Sequence, residues 1–173
     1  MQVKFARTLL AGAAVAAGLF VFAPAANAQI VVQANYGGDT DFGVGAGIGF
    51  NLGQFNNGTK IAAEATFDYF FPSCDGCDAI NADFKVWEIN ANARAHLIPS
   101  LPSLYLGAGA RYYKWDYSFD NCGIYCDLYA GADGIGLNII GGWVFSGANG
   151  PFVQAKLEVG DGSQFVATAG IRF

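Results

Sequence analysis

Eight charged residues lie in segments that otherwise alternate between apolar and polar positions, and they divide equally between acids and bases. They are Glu64, Asp68, Glu88, Glu158, Arg94, Arg111, Lys156 and Arg172. A charged side chain removed from water alone incurs a large desolvation cost, so equal numbers of the two signs predict ion pairs. Counting positions from the segment ends predicts that Glu64 pairs with Arg94. The same count places Arg111 between Asp68 and Glu88.

The single histidine, His96, is the first candidate for catalysis. A nucleophilic mechanism needs a Ser or Cys within reach of the base. None of the strands predicted below contains a Ser or a Cys, and nothing in the sequence places a loop serine beside His96. We therefore expect an ordinary hydrogen-bonded interior histidine, with no catalytic residue and no enzyme activity.

The four cysteines form two closely spaced pairs in two long loops, Cys74 with Cys77 and Cys122 with Cys126. In an exported protein disulfides are the expected state, and four cysteines allow three pairings. Local pairing within each loop is favoured over crossed pairing because it is simpler to assemble. The 44 residues between the two pairs do not match the spacing of zinc sites, so neither a metal site nor a cofactor is predicted.

Ten of the fourteen acidic residues lie in or beside the loops predicted at one end of the molecule. They are Asp39, Asp41, Asp75, Asp78, Asp83, Asp116, Asp120, Asp127, Asp133 and Asp161. Carboxylate oxygens suit Ca²⁺ or Mg²⁺, so a divalent-cation site is one interpretation of these loops. No loop has the spacing of an EF-hand, however, so the acids indicate a hydrated surface more than a cation site.

The first 28 residues predict a secretory signal peptide. Lys4 and Arg7 provide a basic start, residues 9–22 are apolar, and Ala26-Asn27-Ala28 is a small-residue cleavage site before Gln29. Residues 29–173 are then one domain. That domain keeps seven bases and all fourteen acids, a net charge of −7, which argues against nucleic acid as a partner.

Composition and periodicity together predict a closed β-barrel in a membrane. The chain is 53% hydrophobic and only 13% charged, yet the domain has no apolar run long enough for a spanning helix. At residues 87–97 every odd position is apolar and every even position is polar. Tilted by about 45°, such a strand covers roughly 25 Å, the apolar band of a membrane barrel. The predicted strands cover residues 29–36, 42–52, 61–71, 87–97, 104–115, 133–145, 152–159 and 164–173.

The connections and the strand faces agree with that prediction. Four Asp-rich connections, which include both long loops, alternate with three short turns that contain no acid. This matches the long external loops and short periplasmic turns of bacterial barrels. Large apolar residues take the outward positions, with Lys85 at the outer end of its strand. The inward positions hold glycines and hydrogen-bonding residues, and the glycines between 43 and 49 would make room for long arginine side chains.

The chain resembles the small eight-stranded outer-membrane β-barrels typified by the outer-membrane protein A transmembrane domain and the opacity-type adhesins. The last strand ends in Phe173, and such an ending resembles the signal read by the barrel-assembly machinery. The resemblance implies an all-β, antiparallel, up-and-down barrel in a Gram-negative outer membrane, in contact with lipid and lipopolysaccharide.

An eight-stranded barrel is too narrow for an open aqueous channel, so the charged bore is expected to be a plug. We expect a monomer with a structural or surface-interaction role, in which the external loops meet a surface partner. A narrow gated pore and a lipid-modifying enzyme are the alternatives, since fold alone does not decide function.

Overall fold

The computed structural model describes residues 28–73, 82–119, 132–146, 149–160 and 162–173. The regular elements in these ranges are eight strands. They are β1 Ala28–Gly37, β2 Asp41–Gln54, β3 Lys60–Phe71, β4 Ala82–His96, β5 Leu104–Phe119, β6 Asp133–Val144, β7 Gly150–Val159 and β8 Gln164–Arg172.

Each strand pairs antiparallel with the next along the chain, and β8 pairs with β1 to close the barrel. The predicted fold class and strand count are therefore confirmed. We call the end with the connections at 55–59, 97–103 and 145–149 the short-turn end, and the opposite end the long-loop end. The apolar–polar alternation explains the sheet, because successive side chains of a strand point to opposite faces.

The β4–β5 hairpin extends further than the sequence predicted. Residues 82–83 and 116–119 were expected to belong to loops, but Ala82 pairs with Phe119 and Lys85 pairs with Asp116. A ladder of backbone hydrogen bonds does not require apolar side chains once it leaves the apolar band, so polar positions do not end the strand. The hairpin therefore projects beyond the other strands at the long-loop end.

β2 is irregular close to the short-turn end of the barrel. The register between β2 and β3 shifts between Asn51 and Gly53, and Gly53 has a φ of 125°. That backbone conformation favours glycine, and the shift is typical of a bulge, beyond which β2 still pairs with β3 at Gly53 and Gln54. β4 ends at His96, one residue earlier than predicted.

The outer face of the wall is apolar. Ile135, Leu137 and Ile139 follow one another at alternate positions of β6 and are 72%, 62% and 56% exposed. Phe50 and Ala63 are exceptions: they pair across β2 and β3 at outward positions and are buried. Apart from such local cover, the exposed side chains along the middle of the strands are mostly large and hydrophobic, and exposed charged side chains such as those of Lys85 and Asp116 lie toward the long-loop end.

Two predictions lie outside the described residues. The signal peptide falls almost entirely in residues 1–27, and the division of the chain at residue 28 stays a prediction. None of the described residues belongs to a helix that is long and apolar enough to cross a membrane.

Candidate functional site: two ion clusters in the bore

The first cluster, which we call the upper ring, consists of Glu88, Arg111, Lys156 and Glu158. Its acids and bases alternate around a closed cycle. Arg111 Nη1 lies 2.8 Å from Glu88 and 2.6 Å from Glu158, and Lys156 Nζ lies 3.2 Å and 2.5 Å from the same two carboxylates. All four side chains are almost completely buried. The ring is neutral as a whole, and every member has two oppositely charged neighbours.

Strand order brings the ring together. Glu88 comes from β4, Arg111 from β5, and Lys156 and Glu158 from β7, so the ring crosses the bore. Arg111 Nη2 also donates to the Gly162 carbonyl at 2.8 Å, and Gln164 donates to Glu158 at 2.8 Å. The guanidinium lies 4.5 Å from the centroid of the Tyr113 ring. The ring is therefore held by neutral donors and an aromatic face as well as by its own charges.

The second cluster, the lower triad, contains one acid and two bases. Glu64 Oε2 accepts from Arg94 Nη1 at 2.7 Å and from Arg172 Nε at 3.0 Å. The predicted Glu64–Arg94 pair is thus present, and Arg172 is an additional partner that was not predicted. The Arg172 guanidinium lies 3.6 Å from the centroid of the Phe152 ring. The triad carries a net charge of +1 and relies partly on aromatic faces to stabilise its second cation.

Asp68 does not flank Arg111, so that part of the prediction is wrong. It is fully buried, and its two carboxylate oxygens accept hydrogen bonds from four neutral side chains. The donors are Gln33 and Asn35 at 2.7 Å and Thr66 and Asn90 at 2.9 Å. The error has a geometric cause: the strands of a closed barrel are staggered, and the stagger brings β1 rather than β5 over Asp68.

A glycine makes this arrangement possible. Gly45 pairs with Asp68 across β2 and β3, and a Cβ atom at Gly45 would collide with the Asp68 carboxylate. The glycines of β2 were predicted to make room for arginines. The structure instead places Asp68 against Gly45 and Phe70 against Gly43, while the Arg111 side chain lies against Gly136.

Apolar side chains also occupy the bore, which the sequence prediction missed. One cluster near the short-turn end contains Val31, Tyr105, Ile140, Val144 and Phe152. Another near the long-loop end contains Phe70, Val86 and Val166, with Trp115 packed against it. Their inward parity could be read from the sequence, because Phe70 shares the parity of Glu64 and Asp68. The apolar and charged side chains therefore share the bore: Arg172 of the lower triad pairs with Val31, and Lys156 of the upper ring pairs with Val166.

His96 lies at the short-turn end. Its Nδ1 is 2.6 Å from the carbonyl oxygen of Pro102, in the turn that follows β4. The expected hydrogen bond is present, but the ring is only half-buried. His96 and Ser103 both line a small cavity at this end of the bore. The sequence did not indicate that these two residues lie close together.

Comparisons with known proteins bear on the fold. No protein-family model matches the chain, and no curated protein matches it. Among solved structures, the crystal structure of Neisserial surface protein A is 16% identical, with a TM-score of 0.48 over 84% of this chain and 94% of that one. The attachment invasion locus protein of Yersinia pestis is 15% identical, with a TM-score of 0.45 over 85% and 97%.

The fold is a closed, eight-stranded antiparallel β-barrel. At such low identity the likeness concerns the fold alone, and the assignment of the barrel depends on the strand order and closure of this chain.

The remaining predicted sites concern the long loops and the chain end. Cys74, Cys77, Cys122 and Cys126 all lie outside the described residues, so their pairing stays a prediction. The backbone of Phe173 is paired with Ile30, and its ring is exposed on the outside of the barrel. Its role as an assembly signal also stays a prediction. Among the described residues, no group of three or more His, Cys, Asp or Glu side chains could hold a metal ion.

Proposed function

We propose that the chain is an integral outer-membrane β-barrel with a closed bore, and that it acts in envelope structure or surface interaction through its external loops. The inside-out distribution of side chains carries the proposal. Large apolar residues cover the outer face, while the ion clusters are buried within. Full burial of an Ile, Leu or Phe side chain is worth about 1.5–3 kcal/mol of transfer free energy, and each exposed one would forgo part of this in water, whereas lipid recovers it.

The proposed closure of the bore is supported by its contents. The upper ring crosses the barrel, and two apolar clusters fill further parts of the bore toward its two ends. An eight-stranded barrel has an interior just wide enough for side chains to fill. We propose a structural plug and no catalytic activity.

The proposed surface role concerns the long-loop end. Among the described residues at this end, Asp39 and Asp41 lie at the turn between β1 and β2, and Asp116 and Asp133 lie on β5 and β6 toward the connection between those strands. An acidic rim favours contact with cations or basic surfaces and repels polyanions. We propose that outer-membrane lipid and lipopolysaccharide surround the barrel. The barrel-assembly machinery is the proposed partner during insertion, and the external loops are proposed to contact a surface partner. The barrel is proposed to be monomeric, and export is proposed to be directed by a signal peptide that is cleaved before Gln29.

A narrow gated pore is the second candidate, because ion pairs cross the bore at its middle and exchange of partners would be needed to open it. Planar-bilayer conductance separates the two. A plug gives no discrete current steps, whereas a gated pore gives steps that change when Lys156 is replaced by Met.

The main proposal is tested by expression with the native leader, followed by membrane fractionation and gel electrophoresis in SDS with and without boiling. We expect the protein in the outer-membrane fraction, with a mobility that changes on heating because a folded barrel resists SDS. Recovery in the soluble periplasmic fraction, or one mobility under both conditions, would contradict it.

A further inference from the structure

A cavity of about 110 Å³ opens at the short-turn end of the bore. On the same scale a water molecule needs about 10–15 Å³, so the space has room for several waters or one small polyatomic ion. Lys60, Arg94, His96, Ser103 and Asn51 provide its polar lining. None of the described residues that line it is acidic, and two of them carry a positive charge.

The charge behind the cavity is also positive. Arg94 belongs both to the cavity wall and to the lower triad, where two guanidiniums share one oxygen of Glu64. The triad has an excess charge of +1, and Lys60 adds a second positive charge at the opening. An uncompensated charge in a buried site is costly, so this end of the bore favours a bound anion.

Buried hydrogen-bond donors without a partner also favour a bound anion. Nε of Arg94 and Nη1 of Arg172 are buried and have no hydrogen-bond partner. Both side chains are more than nine-tenths buried. Buried donors are almost always satisfied, and an exception calls for a water, an ion or a ligand. Arg94 is the residue that both lines the cavity and keeps a free donor.

We propose that this cavity binds a small tetrahedral oxyanion of the phosphate or sulfate class. A guanidinium donates two parallel hydrogen bonds to such a group, and an ammonium adds a point charge. The Ser103 hydroxyl and the Asn51 amide are neutral donors of the kind that complete an oxyanion site. The site is separate from the external loops and does not depend on the proposed surface role.

The test is calorimetric titration of inorganic phosphate into the protein purified from outer membranes in dodecyl maltoside, a detergent without phosphate, at low ionic strength. Lys60→Gln is the test variant, because Lys60 is exposed and contributes to no ion pair within the described residues. Lys114→Gln is the matched control, because that lysine lies toward the opposite end and pairs with Asp116. Heat-modified gel mobility verifies that each variant is folded.

We expect saturable phosphate binding that sulfate competes away, that weakens roughly fivefold in Lys60→Gln, and that is unchanged in Lys114→Gln. A parallel titration with short-chain phosphatidylglycerol identifies the source of the phosphate: tighter binding than inorganic phosphate assigns a lipid headgroup, and weaker binding assigns a free anion. Absence of saturable binding for both ligands overturns the proposal. So does an equal loss in the two lysine variants, which would indicate diffuse attraction rather than a site.

Discussion

The upper ring and the lower triad both bury charge inside a narrow bore, but they do so with different numbers of acids and bases. The ring has two of each, and each base contacts both acids. The triad has one acid for two bases, and its second base stacks on Phe152. The ring is therefore balanced internally, whereas the triad depends on a single carboxylate. Removing one residue should have very different consequences in the two clusters.

The largest effect is expected for Glu64→Gln. The substitution leaves two buried guanidiniums without a carboxylate, and breaking a buried pair by removing one partner costs about 3–5 kcal/mol. Urea unfolding of the barrel in lipid vesicles, followed by tryptophan fluorescence, measures the free energy of unfolding. If Glu64→Gln lowers the free energy of unfolding less than Glu88→Gln does, the assigned charge balance is contradicted.

A smaller effect is expected for Glu88→Gln in the upper ring. Glu158 still contacts both Arg111 and Lys156 after the change, so each base keeps one anionic partner. We expect a loss of about 1.5–3 kcal/mol, the range for a lost hydrogen bond to a charged group. The same unfolding experiment applies. The comparison fails if Glu88→Gln destabilises the barrel more than Glu64→Gln does.

Asp68 extends the comparison to a carboxylate held by neutral donors. Gly45→Ala should disturb it, because the new Cβ would collide with the carboxylate that four side chains hold in place. Overpacking of this kind costs about 1–3 kcal/mol. Gly38→Ala is the control, since the nearest atom to its Cβ would be 4.0 Å away. Equal unfolding free energies for the two variants would refute the role assigned to Gly45.

The smallest effect is expected for Arg172→Met. This change removes the excess cation and leaves a neutral Glu64–Arg94 pair, while the Met side chain keeps apolar contact with Phe152. We expect a loss of about 1 kcal/mol or less, since the lost bond is offset by relief of like-charge repulsion. Arg111→Met is the matched variant, because it leaves two acids with Lys156 alone. Arg172→Met should be the less destabilising of the two.

The sequence predicted the barrel well because the relevant information is local. Alternation within a strand shows which face each residue occupies, and adjacent strands connected by a short turn have a register that can be counted. The Glu64–Arg94 pair lies on the neighbouring strands β3 and β4, and its position was predicted for that reason.

The wrong predictions concern the contents of the bore, where residues of non-adjacent strands meet. Asp68 contacts residues of β1 and not of β5, because the stagger of a closed barrel accumulates from strand to strand and is not written in any single strand. The apolar layers were missed for a different reason. Val31, Phe70 and Val86 have inward parity, but a bore expected to hold only glycines and hydrogen-bonding residues leaves no place for them.

The central claim is that lipid surrounds the wall and that the upper ring, the lower triad and the apolar clusters fill the bore. The three tryptophans test it most directly. Trp87 and Trp143 lie on the outer face, while Trp115 packs against the inner cluster of Phe70, Val86 and Val166. In single-tryptophan variants reconstituted into vesicles, lipids brominated on the acyl chains near the headgroup should quench Trp87 and Trp143 strongly and Trp115 weakly. Strong quenching of Trp115 together with unquenched Trp87 and Trp143 would contradict the account.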